Sequence, residues 1–346
     1  MKVCVFGAGG IGGYLAVCLH RAGVGTSVIA RGAPLAAIRE NGLRLRATGN
    51  EAVARILASD NPSEFGPQDA VFVTVKAPAL PSVAATIAPL LGPNTAVVFV
   101  MNGAPWWYFH NHGGPLDDYR LSLLDPGDRL RMAVAPRRVI GGVIYAACEV
   151  VAPGVVALAG STQRLILGES TGALTPRARA LAERLSAGGL ASSVSPVIRD
   201  EIWSKLMNNI ATGPLAVLTG AAINEVAAEP QCADLLRRML RETASVAQAL
   251  GRNPELDIEA RIASFRTLRH KPSILQDMER GRVMEVDAQW QAPLDLARLA
   301  GVATPVLNEI IALAMLRARA AAAEQPLCHH GGRVKGTGLK PIEAPS

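Results

Sequence analysis

The sequence has few aromatic residues, and it has no long uninterrupted apolar run. Aromatic residues make up only 4% of its 346 residues and its arginines are dispersed, which argues against a surface that stacks nucleic-acid bases. No apolar stretch reaches transmembrane length without interruption, and the first one passes directly into glycines, unlike a signal peptide. We therefore expect neither nucleic-acid nor membrane partners, and a cytoplasmic location.

Cysteine is also scarce, and its spacing excludes a disulfide framework. The five cysteines are scattered, and none forms a Cys-x-x-Cys pair. The segments His110-x-His112 and Cys328-His329-His330 contain ligand types but lack carboxylates at ligand spacing. We expect no metal site.

The proportions of apolar and charged residues, together with the length of the chain, indicate a large folded protein. Apolar residues make up 49% and charged residues 18% of the chain, and its length predicts two domains. The net charge of +6 suits a protein that binds an anionic cofactor and an anionic substrate.

The N-terminus carries the most informative pattern, a glycine turn between a strand and a helix. An apolar run, Lys2 to Phe6, ends at a G-x-G-x-x-G, and a helical pattern and a second strand, Thr26 to Ala30, follow. In such a turn the first glycine allows a sharp bend, the second admits a pyrophosphate, and the third allows close helix packing. The predicted cofactor-binding residues here are Gly7, Gly9, Gly10, Ile11 and Gly12.

The end of the second strand indicates which dinucleotide binds. Arg31 lies there, and no acidic residue appears before Glu40. A carboxylate would accept hydrogen bonds from a ribose 2′-hydroxyl, whereas a guanidinium binds a 2′-phosphate. Arg31 therefore favours NADP(H) over NAD(H), with a solvated surface arginine as the alternative.

The remaining pattern predicts an α/β fold with an N-terminal Rossmann-type domain followed by an all-helical C-terminal domain. Predicted strands at 68–76, 95–101 and 139–167 alternate with a helix at 81–91, and a helix at 176–187 and a strand at 191–194 follow. Residues 102–135 look like an irregular insertion or lid. Ser195-Pro196 opens a helix, and only helical patterns follow it. The predicted divisions are 1–195, 196–323 and a flexible tail, 324–346.

One helical segment, residues 199–210, carries the residues with catalytic potential. Lys205 and Asn209 are four apart, so they share one face at the edge of an apolar stripe. A lysine in such a place is costly unless it is paired or functional. The alternative is a surface ion pair with Glu201, four residues earlier.

Five motifs in order resemble the ketopantoate reductase family (2-dehydropantoate 2-reductase). They are the glycine turn, Val75-Lys76-Ala77, Met101-Asn102-Gly103, Trp203-Ser-Lys205-Leu206-x-x-Asn209, and Ser273-Ile-Leu-Gln-Asp277 with Glu285. The resemblance spans about residues 1–320. It implies NADPH-dependent reduction of a 2-oxo acid to a 2-hydroxy acid in a cleft between the two domains, most simply of 2-dehydropantoate to pantoate. The resemblance is also compatible with a homodimer.

The resemblance also implies a role for each matched residue. Lys205 would be the general acid and Glu285 would bind substrate and fix the site. Asn209 and Ser273 would bind substrate, while Lys76 and Asn102 would line the nicotinamide side, with Asn102 also facing substrate. The alternative, purely structural roles are a helix cap for Ser273, a surface charge for Glu285 and a turn former for Asn102.

Two positions depart from the family pattern. Gly213-Pro214 replaces the usual Asn-Pro, and Ile223 falls where the family often has Asn. These changes leave open a larger or more apolar oxo acid, with Trp106 and Trp107 in the pocket. A cofactor-binding paralogue without turnover is a further alternative.

Overall fold

The computed structural model describes residues 1–47 and 49–324. All of the strands in this part of the chain belong to one large sheet. Its strands are β1 (Lys2–Phe6), β2 (Gly25–Ile29), β3 (Leu43–Ala47), β4 (Asn50–Ala54), β5 (Leu57–Ser59), β6 (Gln68–Val73), β7 (Leu91–Val100), β8 (Val139–Ala152), β9 (Val155–Glu169) and β10 (Ala191–Val194). The order across the sheet is β4-β3-β9-β8-β7-β6-β1-β2-β5, and β10 pairs with β9. The strands from β8 to β5 in this order run parallel, whereas β8 and β9 form a long antiparallel hairpin.

Helices lie between the strands of the first half and make up most of the second half. They are α1 (Gly10–Arg21), α2 (Gly32–Asn41), α3 (Leu80–Thr86), α4 (Arg129–Val134), α5 (Pro176–Ala187), α6 (Ile198–Thr219), α7 (Ile223–Ala228), α8 (Pro230–Ala249), α9 (Ile258–Phe265), α10 (Ser273–Glu279), a π-helical turn (Asp287–Gln291), α11 (Ala292–Leu299) and α12 (Pro305–Glu324). This arrangement confirms the predicted fold class. None of the helices in the described ranges is long and apolar enough to cross a membrane.

The connections of the sheet create a switch point between β1 and β6. The chain leaves β1 toward β2 on one side and later returns to place β6 on the other side. Ligands of open α/β sheets bind at the carboxyl ends of the strands at such a point. Here those ends carry the glycine turn after β1 and Thr74 to Lys76 after β6.

Apolar packing covers both faces of the sheet and gives the helical half its own core. Helices α1 and α5 cover one face of the sheet, and α3, α4 and the start of α6 cover the other. In the second half, α6 packs against α8, α10 and α12. Helix α6 therefore reaches from the sheet into the helical core, which places its residues between the two.

Several element boundaries differ from those predicted. Three short strands, β3 to β5, were missed because their alternating arginine-rich or brief sequences carry little apolar signal. The helix predicted at 81–91 ends at Thr86, and β7 already begins at Leu91. Helix α6 begins at Ile198, because Ser195 Oγ accepts a hydrogen bond from the amide of Val197 and holds an intervening turn. Of the predicted tail, residues 325–346 lie outside the described residues.

Residues 104–109 of the irregular segment 102–135 are buried in the protein, although most of residues 111–120 are exposed, so this buried part is not a lid. The side chains of Trp106 and Trp107 are only 5% and 2% exposed. Trp106 stacks edge-on against Phe99, and Trp107 packs against Gly141. Both tryptophans thus fill the core beside the sheet, so the prediction that they line a substrate pocket is wrong.

Candidate active site

The glycine turn has the geometry that its sequence predicts. Gly7 adopts a φ of +110°, which disfavours any residue with a side chain. A Cβ at Gly12 would lie 1.9 Å from the carbonyl oxygen of Gly7, so only glycine permits this close approach. A Cβ at Gly9 would have no atom within 4 Å. The turn is therefore tightly packed on its inner side and open at Gly9.

The open side of the turn leads into the amino end of α1, which is suited to an anion. Gly9 caps the helix without a side-chain hydrogen bond, and its first turn contains no acidic residue. The amides of Gly10 and Ile11 lie in this first turn, where N–H groups have no partner within the helix. Gly10 packs closely on β8, since a Cβ there would lie 2.6 Å from the carbonyl oxygen of Cys148.

Arg31 lies directly beyond β2, at the carboxyl edge of the sheet. It is exposed and precedes α2, and its guanidinium has no hydrogen bond or ion pair within residues 1–47 and 49–324. An unpaired guanidinium at this edge is available to a phosphate.

Lys205 is held at the sheet by a main-chain contact. Its ammonium donates a 2.6 Å hydrogen bond to the carbonyl oxygen of Ile144, in the part of β8 beyond its pairing with β7. The same ammonium lies 5.8 Å from the centre of the Tyr145 ring. The surface ion pair with Glu201 is not formed, and Glu201 instead accepts a hydrogen bond from Ser195. Two ammonium protons have no partner among the described residues, so they can serve a ligand.

Burial makes Lys205 a more acidic lysine than usual. Desolvation lowers its pKa to about 8, and the negative charge of Glu285 opposes part of this lowering. An ammonium whose pKa lies near working pH can both stabilise a developing oxyanion and release its proton. The pKa shift and the partly free ammonium together make Lys205 the strongest candidate for acid catalysis.

Glu285 connects the helical half to the ends of β6 and β7. Its carboxylate accepts hydrogen bonds from the amide of Ala77 at 3.1 Å and from the side chain of Asn102 at 3.3 Å. A third bond comes from the side-chain amide of Gln289 at 3.3 Å. The side chain of Glu285 is only 6% exposed, so it is not a surface charge, which was the structural alternative. Asn102 likewise has a bonded side chain and does more than form a turn.

An ion pair also joins the two halves, beside the hydrogen bonds of Glu285. The Lys76 ammonium pairs with the buried carboxylate of Asp277 on α10, and Arg282 approaches the other oxygen of that carboxylate at 3.3 Å. Lys76 therefore lies at the same edge as Ala77 and Glu285, but its charge is engaged by Asp277.

The other two predicted substrate residues are less closely tied to this cluster. Asn209 lies on α6 one turn after Lys205 and is half-buried, and Ser273 is exposed at the first position of α10. Neither side chain forms a hydrogen bond within the described part of the chain. The structure thus brings Lys205, Glu285, Asn102 and Lys76 to one edge, and it leaves Ser273 at the surface without a contact to them.

Sequence reasoning missed Gln289 and the main-chain groups that complete the site. Gln289 follows Glu285 by four residues, the spacing at which helical side chains meet, and this signal could have found it. The carbonyl of Ile144 and the amide of Ala77 carry no sequence signal, because every residue has such groups.

The histidines considered for metal binding have structural partners. His110 pairs with Asp118 at 2.9 Å, and His112 contacts the carbonyl oxygen of Gly113. Within the described ranges, no group of three or more potential ligands could hold a metal ion. Cys328, His329 and His330 lie outside the described residues.

Comparison with known proteins gives consistent matches over nearly the whole chain. The family model described as ketopantoate reductase PanE/ApbA matches residues 3–172, and the model for its C-terminal part matches residues 197–318. A 2-dehydropantoate 2-reductase from Mesorhizobium japonicum is 42% identical over 315 residues, which are 90% of this chain and 96% of the relative.

Solved structures agree with these sequence matches. A structure described as a ketopantoate reductase from Ralstonia solanacearum MolK2 has a TM-score of 0.86 at 38% identity, over 92% of this chain and 98% of that chain. A D-mandelate dehydrogenase in ternary complex with NADH and anilino(oxo)acetate has a TM-score of 0.77 at 23% identity, over 93% of this chain and 99% of that chain. The second match is a likeness of fold.

Proposed function

This chain belongs to the ketopantoate reductase family of oxidoreductases, and from this premise we propose that it reduces a 2-oxo acid to a 2-hydroxy acid with NADPH. The leading substrate is 2-dehydropantoate. One observation carries the proposal: Lys205 and Glu285, from the helical half, lie at the carboxyl edge of the parallel strands, where the glycine turn and Asn102 also lie.

The residues of this edge fit a dinucleotide. The open space at Gly9 admits a pyrophosphate, and the amides of Gly10 and Ile11 would donate to it. Arg31 would bind the 2′-phosphate, while Lys76 and Asn102 would lie on the nicotinamide side. When bound, the cofactor supplies the hydride.

Lys205 supplies the proton in this proposal. Reduction of a ketone leaves negative charge on the former carbonyl oxygen, and the ammonium of Lys205 stabilises that charge and protonates the oxygen. The hydrogen bond to Ile144 fixes the direction of the ammonium. Glu285 binds the substrate hydroxyl side and keeps Lys205 in its charged form, and Asn209 and Ser273 contact the remainder of the substrate.

A second candidate substrate, a bulkier or more apolar 2-oxo acid, is favoured by the environment of Gly213. A Cβ at Gly213 would lie 3.2 Å from Ile274 and 3.4 Å from the indole nitrogen of Trp290. The face that carries Lys205 and Asn209 is therefore continued by the side chain of Ile274 and the indole of Trp290, without the amide that the family pattern has at this position. Ile223 is buried and supplies no amide either.

A panel of 2-oxo acids tests the proposal and separates the two candidates. The loss of NADPH absorbance is followed with 2-dehydropantoate, a branched aliphatic 2-oxo acid and an aryl 2-oxo acid, with Lys205→Ala as the blank. The highest kcat/KM for 2-dehydropantoate supports the first candidate, and a preference for another acid supports the second. A silent panel together with tight NADPH binding would favour a non-catalytic cofactor-binding protein.

Three other predictions stay proposals and concern the whole chain. We propose that the division into two domains falls between β10 and α6, near residue 195, because the last strand and the first long helix meet there. A cytoplasmic location and a homodimer are proposed on the resemblance to the family.

Arg31→Ala should weaken NADPH binding much more than NADH binding. A charge-assisted hydrogen bond is worth roughly 1.5–3 kcal/mol, so the NADPH dissociation constant should rise about 10- to 100-fold. Titration of cofactor fluorescence measures both constants, and Arg55→Ala, an exposed arginine at the opposite edge of the sheet, is the control. Equal affinity of the unmodified protein for NADPH and NADH would contradict the assignment.

The pH dependence of turnover should report Lys205. Because burial lowers its pKa to about 8, the ammonium is present below that pH and is lost above it. The kcat for reduction should therefore fall as pH rises through about 8, and the kcat for oxidation of the hydroxy acid should rise over the same range, because that direction needs the neutral amine. Initial rates in both directions test this, and a flat profile for reduction up to the usual pKa of lysine would contradict it.

A further inference from the structure

One of the hydrogen-bond donors to the Glu285 carboxylate, Gln289, lies four residues after it on the same helical turn. We propose that Gln289 is a positioning residue, whose side-chain amide fixes the Glu285 carboxylate within the site that also contains Lys205. The inference rests on the proposed function, because it names a residue that supports the same site.

The geometry separates Gln289 from the other two donors. The amide of Ala77 follows β6 and the side chain of Asn102 follows β7, so both belong to the sheet half. Gln289 lies four residues after Glu285, and its amide N–H donates to the Glu285 carbonyl oxygen at 3.1 Å, as in a helical turn. Gln289 is therefore the donor on the same helical turn as Glu285, whereas the other two donors are distant from Glu285 in sequence.

Burial makes this bond specific. Gln289 is only 3% exposed, and its side-chain nitrogen lies 3.3 Å from the carboxylate oxygen that also accepts from Asn102. A buried amide without a partner is costly, so the bond constrains both side chains. Gln289 thus has one described partner, the Glu285 carboxylate.

The local backbone supports the same conclusion. Gln289 lies in the π-helical turn Asp287–Gln291, a rare form that is frequent at functional sites. In this turn the carbonyl oxygen of Ala288 accepts a 2.8 Å bond from the amide of Ala104, and a Cβ at Gly103 would lie 2.3 Å from that oxygen. The loop that carries Asn102 is therefore seated on the residue next to Gln289.

Lys205 is a charged group of this site on which the negative charge of Glu285 acts. The negative charge of Glu285 opposes the lowering of the Lys205 pKa. The ring of Tyr145 on β8 lies beside the Lys205 ammonium. Lys76, next to Ala77, is paired with Asp277 on α10. A carboxylate that turns away from Lys205 would stabilise the ammonium less, so the pKa of Lys205 would fall further below its usual range.

Gln289→Leu tests the proposal, because leucine has a similar volume and no donor. The midpoint at which kcat for reduction falls with rising pH should move down by on the order of 0.5 unit, since part of an opposite-charge effect is lost. The dissociation constant for NADPH should change less than about twofold. Gln291→Leu is the matched control, because Gln291 lies in the same turn but bonds to Asp295 at 3.2 Å.

A titration of Lys205 without substrate separates this inference from the proposed function. The chain contains six lysines, so ¹³C-dimethylation followed by NMR gives few signals, and Lys205→Arg identifies the one that matters. A lower pKa of Lys205 in Gln289→Leu, and not in Gln291→Leu, supports positioning even if the substrate panel is silent. An unchanged Lys205 pKa overturns it, even if turnover falls. Should Gln289→Leu not fold, Gln289→Met, which keeps the unbranched shape, carries the same test.

Discussion

Lys205→Ala is expected to lower kcat about 100- to 10,000-fold, the usual contribution of a positioned acid. The ammonium is the candidate proton donor at the edge of the sheet, and alanine removes both its proton and its charge. NADPH affinity should stay within about threefold of the unmodified protein, because the described contacts of Lys205 are with β8 and not with the glycine turn. Steady-state rates and cofactor titration measure the two effects separately.

The control for this variant is Lys2→Ala. Lys2 is exposed at the start of β1, on the opposite edge of the sheet, so its loss should leave kcat unchanged. If Lys205→Ala kept near-native turnover, Lys205 would be a structural lysine and another proton donor would be required.

Gly12→Ala is expected to destabilise the fold itself, whereas Gly9→Ala should affect cofactor binding alone. The new Cβ at residue 12 would lie 1.9 Å from the Gly7 carbonyl oxygen and 2.3 Å from Thr74 Oγ1, so α1 must move away from the sheet. Overpacking costs typically 1–3 kcal/mol and occasionally more, which predicts a fall in the unfolding midpoint of about 5 °C or more.

Gly9→Ala is the matched counterpart within the same motif. Residue 9 has a φ of −75°, which alanine adopts freely, and nothing lies within 4 Å of the added Cβ. Its unfolding midpoint should match that of the unmodified protein, while the NADPH dissociation constant rises at least about tenfold because the methyl group occupies the pyrophosphate approach. Thermal unfolding and cofactor titration of both variants test this. Unimpaired NADPH binding by Gly9→Ala would place the cofactor elsewhere.

The two expected results address different parts of the proposed function. The glycine variants test whether the turn binds a dinucleotide, and Lys205→Ala tests whether the helical half performs proton transfer. Loss of NADPH binding in the Gly9→Ala variant and loss of turnover in the Lys205→Ala variant would agree with a reductase. Intact NADPH binding and no turnover in the unmodified protein would leave a cofactor-binding member of the family.

The sequence by itself determined the local features of this protein. The glycine turn, the helix after it and the strand that ends before Arg31 follow from backbone freedom and apolar spacing within about thirty residues. Lys205 and Asn209 share a face of α6 because helical periodicity requires it. These are short-range effects, so they could be predicted from neighbouring residues.

Only the tertiary structure decided how the site is assembled. The contacts of Glu285 with Ala77 and Asn102 span 208 and 183 residues, and that of Lys205 with Ile144 spans 61. Two of these contacts use main-chain groups, which no residue type marks. The burial of Trp106 and Trp107, and the exposure of Ser273, likewise depend on which surfaces the sheet and helices cover. Periodicity predicts which face of an element is apolar, but only packing between distant elements sets what that face meets.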